Sequence, residues 1–160
     1  MDTDEKLSLC YEIIMIPARN GLLNARGVRT GYTHWLGPEL KKEIRMFSGY
    51  VSENAMNNGT DVGLAIEHYL RIQAGLTSLI KKHMVSGEDK AEFIQEVKRL
   101  EQIHIVTGKE NSNLRKKEIS GDYEKAGIRL IHWDEVPSES RMFLRKKLMK
   151  NVANADQYPV

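Results

Sequence analysis

Apolar residues between Pro38 and Val106 recur at spacings of three and four, a period that predicts helices. Pro38 suits a first helical position, and Leu40, Ile44, Phe47 and Val51 form one stripe before Gly59 closes the segment. A second helix is expected from an N-cap at Thr60, with Asp61 favourable to the dipole. Its face would be Val62, Ile66, Tyr69, Leu70, Leu76, Leu79 and Ile80, and it would end near Lys81-Lys82-His83. Ser86 and Asp89 open a third, with Phe93, Ile94, Val97, Leu100 and Ile103 on its buried face before Gly108. The brief connections at Asn57-Asn58-Gly59 and Ser86-Gly87 favour antiparallel packing of successive helices.

Outside this block the pattern is less uniform. Residues 4–16 fit a helix opened by Thr3, Asp4 and Glu5, yet Leu7, Leu9, Tyr11, Ile13 and Met15 alternate as a strand would. The helix is preferred, and Pro17 is expected to end it. From Arg19 to Gly37, glycines and asparagines such as Asn20-Gly21 and Gly27 suggest a long structured loop. A short helix is expected after Lys109, through Ile119 to Gly121, then an extended piece at 128–133. A last helix follows Pro137, from Ser138 to about Val152. The predicted fold is mainly α: a single-domain bundle of about five to six helices over residues 1–153, with a short strand at 128–133, a second candidate strand at 7–15, and a flexible tail at 154–160.

With 160 residues, 41% hydrophobic and 29% charged, the chain has enough apolar material for one core of ordinary size. Cys10 is the lone cysteine, so no intrachain disulfide can form, which suits a reducing compartment. No apolar run reaches the ~18 residues of a membrane span, and Asp2, Asp4 and Glu5 make the N-terminus acidic; a cytoplasmic or otherwise intracellular protein is expected. The net charge of +2 is uneven: residues 1–80 hold 8 Lys/Arg and 9 Asp/Glu, residues 81–160 hold 16 and 13. The excess of cations directs the search for a partner to the second half.

Chemistry-bearing patterns are sparse. His34, His68, His83, His104 and His132 show no metal-ligand spacing, so neither a metal nor a cofactor is expected. His68 beside Glu67 reads as a surface contact. The pairs Glu88-Asp89 and Asp134-Glu135 read as helix-opening charge. Ser8, Ser48 and Ser78 lack a nucleophile-elbow context, and Gly27 and Gly31 lack a phosphate-loop lysine. Gly27-Val28-Arg29 with His34-Trp35, Pro38 and Arg45-Met46-Phe47 echoes Gly127-Ile128-Arg129 with His132-Trp133, Pro137 and Arg141-Met142-Phe143, at unequal spacing.

The last helix is the best functional candidate. Arg141, Arg145, Lys146, Lys147 and Lys150 put five cations into ten residues among Met142, Leu144, Leu148 and Met149. Such a helix can lie on phosphates, or be simply a solvated face. Arg115, Lys116 and Lys117 form another cluster, while Arg29, Tyr32, Trp35 and Trp133 offer interface or base-stacking chemistry. The leading expectation is a non-enzymatic nucleic-acid-binding or regulatory protein. Beside it stand a helical adaptor or inhibitor, oligomeric through Met and aromatic surface, and a small enzyme whose site assembles only in three dimensions.

Overall fold

The computed structural model describes residues 1–160 and shows a mixed α/β chain in which helices are joined by a four-stranded sheet, a correction to the expected helical bundle. The chain forms two compact units, each built from two stretches: Met1–Ile44 with Leu70–Glu101, and Arg45–Tyr69 with Gln102–Val160.

The first unit is helical. Asp2 caps α1 (Thr3–Arg19), accepting from the Glu5 N–H while the Glu5 carboxylate returns to the Asp2 N–H. The strand alternative for residues 7–15 is excluded, because Leu7, Tyr11, Ile14 and Met15 are buried on one helical face. Pro17 lies within the last turn rather than beyond it, where its missing N–H removes only one ladder bond. After Asn24, which caps by accepting from Gly27, the chain is helical throughout residues 25–44. It runs as α2 (Ala25–Thr30), a π-helical stretch (Gly31–Leu36) and α3 (Gly37–Ile44), where a loop was expected. Gly21 does form a turn, at φ +67°, but Gly27, Gly31 and Gly37 are helical, and Ala25, Val28 and Tyr32 form the buried stripe that their presence obscures. The unit is completed by α5 (Ile72–Ser86) and α6 (Lys90–Leu100), the latter capped by Asp89. At Gly75 a Cβ would stand 2.8 Å from Leu100 Cδ1, so the bare backbone is what lets the two helices approach.

In the second unit the apolar residues assigned to helices belong largely to strands: β1 (Met46–Ser52), β2 (Leu64–Glu67) and β3 (Gln102–Thr107), joined by β4 (Leu130–His132). The sheet order is β2-β3-β1-β4, with β1 parallel to β3 and the other two pairings antiparallel. Phe47 and Val51 stand four apart, a spacing that also continues a helical stripe, so the sequence period alone does not separate the two. Phe47, Val51, Ile103, Ile105 and Ile131 cover one sheet face and pack with Leu144, Leu148 and Val152 of or beside α8 (Ser138–Asn151). Short helices α4 (Glu53–Met56) and α7 (Gly108–Leu114) follow β1 and β3.

Residues 154–160 are pinned, in contrast to the expected flexible tail. Asn154 Oδ1 accepts from the Phe47 N–H at 2.8 Å and its Nδ2 donates to the Phe47 carbonyl at 3.0 Å. Trp133 Nε1 donates to the Pro159 carbonyl, which supplies the partner its buried indole needs. The repeated Gly–His-Trp–Pro–Arg-Met-Phe pattern has no structural counterpart. Its first copy is helical before β1, whereas its second forms β4, a 3-10 turn and α8.

Candidate functional site

The sheet face opposite α8 carries polar and aromatic side chains, and it is built around an irregularity in β1. Phe47 pairs with Ile103 and Val51 with Ile105, so β1 spends four residues where β3 spends two. The three residues between, Ser48-Gly49-Tyr50, stand opposite the single His104 and bulge, with Gly49 at φ +92°. The bulge brings Ser48 Oγ to 2.5 Å from His104 Nδ1, and Ser48 Oγ also accepts from the Tyr50 N–H at 3.2 Å.

Aromatic rings surround this pair. Tyr69 stacks on His104 at a centroid distance of 4.0 Å and an interplanar angle of 8°, while Tyr123 and Tyr50 present edges at 5.5 and 6.0 Å. Tyr50 continues the array to His132, its cross-strand neighbour, at 5.1 Å. Tyr69 donates to Gln102 Oε1 and Tyr123 to the carboxylate of Glu67, which faces His104 across the β2–β3 ladder. Burial pushes the His104 imidazole down to about 4, because a charged ring would lack solvent. The ring is therefore neutral at physiological pH. Burial, and secondarily the Glu67 charge, push the Tyr123 hydroxyl up, so it stays a donor. Two rings reach outward: Tyr50 is 41% exposed and the His132 side chain 42%.

A second polar group, the Glu110 carboxylate, is buried in the same unit. Glu110 accepts from Ser52 Oγ, Asn54 Nδ2 and the Thr107 N–H, tying the starts of α4 and α7 together. No group of three or more His, Cys, Asp or Glu is arranged to hold a metal ion, and no helix is long and apolar enough to cross a membrane.

The residues singled out from sequence are distributed differently. Tyr32 and Trp133 are core residues at 0% and 3% exposure, and Arg29 is buried with its Nε donating to Thr77, so these three offer no stacking surface; Trp35 is exposed. On α8 three of the five cations are engaged locally. Arg141 lies over the Trp133 ring and donates to the Trp133 carbonyl, Arg145 pairs with Asp156, and Lys150 reaches Asp61. Lys146 is exposed and Lys147 half-buried. Arg115, Lys116 and Lys117 are exposed on the turn after α7, which closes where the Gly121 N–H meets the Leu114 carbonyl. Two residues later that same segment delivers Tyr123 to the ring cluster. The charge asymmetry between the halves of the sequence does not survive folding, since each unit holds 12 Lys/Arg and 11 Asp/Glu.

Ser48, Tyr50, Glu67, Tyr69, His104 and Tyr123 come from four separate segments, which is why spacing did not reveal them. One signal was available: His104 interrupts the β-branched run Ile103, Ile105, Val106, where a polar ring must find a partner. Compared with protein-family models, curated proteins and solved structures, the chain finds no match.

Proposed function

We propose that the chain binds single-stranded nucleic acid on the ring-bearing face of its sheet. The observation that carries this reading is the continuous array Tyr69–His104–Tyr50–His132, with Tyr123 on its edge and Tyr50 and His132 open to solvent. Exposed flat side chains on a rigid sheet accept bases by stacking without regard to sequence, at roughly 1–3 kcal/mol per base. Arg115, Lys116 and Lys117, on the segment that delivers Tyr123, supply cations for the phosphates. The arginines of α8 are engaged within the unit, whereas the rings of the sheet face reach solvent. Titration of labelled single-stranded DNA and RNA at low and moderate salt tests it. Tyr50→Ala should weaken binding by about tenfold at each salt concentration, corresponding to ~1.4 kcal/mol. Lys116→Ala with Lys117→Ala should flatten the salt dependence. No binding at low salt would remove the reading.

A protein partner for the first unit is favoured by a different observation. Leu9, Ile13 and Ile16 line one face of α1 at 49%, 46% and 53% exposure, an apolar stripe at helical spacing without cover. An adaptor or self-associating role would use this stripe. Light scattering of the intact chain against Ile13→Glu tests it, and a wild-type chain that is strictly monomeric argues against self-association.

A further inference from the structure

Stacking of bases does not account for the Ser48–His104 pair. A strand that served only as a platform would need no surplus residues, yet β1 departs from its ladder at Ser48 and requires Gly49 in the left-handed region to do so. The departure has a definite result. Ser48 Oγ takes the Tyr50 N–H in one lone-pair direction, which leaves its own O–H free to point along the 2.5 Å line to His104 Nδ1. The imidazole is held in place by Tyr69 against its face and by the edges of Tyr50 and Tyr123. Ser48 is half-buried, at the margin of the exposed Tyr50.

We infer that Ser48 is a nucleophile served by His104, and that the pair transfers the acyl group of an aromatic ester to water. Ser48 Oγ attacks the carbonyl carbon as its proton passes to His104 Nδ1. Collapse of the tetrahedral adduct breaks the bond to the alcohol oxygen, which leaves with that proton. Water then gives a proton to the same nitrogen and attacks the acyl carbon, and the Ser48 oxygen departs and recovers the proton. Ester and water are consumed, acid and alcohol are formed, and no other reactant enters. The exposed ring of Tyr50, whose N–H is bonded to the Ser48 hydroxyl oxygen, selects esters that carry an aromatic ring. The inference goes beyond nucleic-acid binding and stands without it.

The test uses the full chain with 4-nitrophenyl acetate as substrate and a fluorophosphonate as covalent probe, the labelled residue being located by peptide mass spectrometry. Expected are a single label on Ser48, release of 4-nitrophenol above the buffer rate, and loss of both in Ser48→Ala. His104→Gln should slow labelling by on the order of 100-fold, the usual scale for removing a general base. Because His104 is buried and its replacement can unfold the unit, circular dichroism accompanies that variant, and the labelling of the wild-type chain decides the matter alone. Overturning results are a wild-type chain that labels Ser48 no faster than the exposed Ser112 and Ser138, or Ser48→Ala with undiminished turnover. Failure of oligonucleotide binding with Ser48 labelled would dismiss the first reading and keep this one.

Discussion

Ser52 Oγ donates to Glu110 Oε2 across 2.6 Å, fastening the residue that caps α4 to the opening turn of α7. Ser52 is fully buried and Glu110 nearly so, and the same carboxylate also takes Asn54 Nδ2 at 2.9 Å and the Thr107 N–H at 2.9 Å. A buried acceptor that satisfies three donors is expensive to remove, above all because the buried Ser52 hydroxyl is left without water or that partner. Glu110→Ala should therefore lower stability by roughly 2–4 kcal/mol in urea denaturation. A loss below about 1 kcal/mol would mean that water enters and replaces the carboxylate.

In the helical unit His83 bridges two partners: Nδ1 lies 2.7 Å from Tyr11 Oη and Nε2 lies 2.9 Å from Glu92 Oε2. Lys82 and then His83 hold the Glu92 carboxyl below its usual range, so it is an acceptor at neutral pH. The proton of a neutral ring is thereby fixed on Nε2, and the Tyr11 hydroxyl, pushed up to about 12 mainly by burial, donates to Nδ1. Tyr11→Phe should cost about 1–2 kcal/mol by stranding that nitrogen. Nitrogen-15 NMR should find His83 in the Nε2–H form; an Nδ1–H ring would reverse the donor assignment and refute the argument.

What the sequence made legible follows physical lines. The last helix and the strand around Ile131 were readable because Pro137 separates them and no competing period exists. Helix α1 was readable from its acidic start. The stretch of residues 46–67 was not, because Phe47 and Val51 satisfy a helical and an alternating pattern equally, and tertiary pairing with Ile103 and Ile105 decides. Gly31 and Gly37 misled in the other direction, as their helical conformations follow from packing: a Cβ at Gly37 would stand 3.0 Å from the Tyr32 carbonyl oxygen. The site was least legible. Ser48 meets His104 across 56 residues through a bulge, and no local rule announces a bulge whose glycine lies inside an ordinary strand.

Acid should act on this unit through His104. Its folded value of about 4 lies below the ordinary 6.5, so the unfolded chain binds the extra proton first. Stability from this group is present above pH 6.5 and is lost as pH falls towards 4, by about 3 kcal/mol in all. The neighbours facing the ring are Tyr50, Tyr69, Tyr123 and Glu67. Burial is the cause of the lowered value, and it sets the direction. Denaturation midpoints of the wild-type chain and His104→Gln at pH 7 and pH 4.5 provide the check. The wild type should lose more stability between them, and an equal loss would contradict the burial argument.

Gly49 should be the least replaceable residue of the bulge. At φ +92° an L side chain is strained, and a Cβ there would lie 3.3 Å from His132 Nε2 and 3.6 Å from Tyr158 Cε1. Both neighbours are held, His132 through Nδ1 to the Asp134 N–H and Tyr158 through its hydroxyl to the Phe47 carbonyl, so neither yields freely. Gly49→Ala is expected to cost about 1–3 kcal/mol, the scale of a single misplaced backbone conformation. Relief of the strain would draw β1 back towards its ladder and separate Ser48 from His104. Thermal melting should then show a lowered Tm, and at a temperature where the variant is still folded its Ser48 should react with the fluorophosphonate at the rate of an exposed serine. A variant with wild-type Tm and wild-type labelling would show that the bulge does not depend on the glycine.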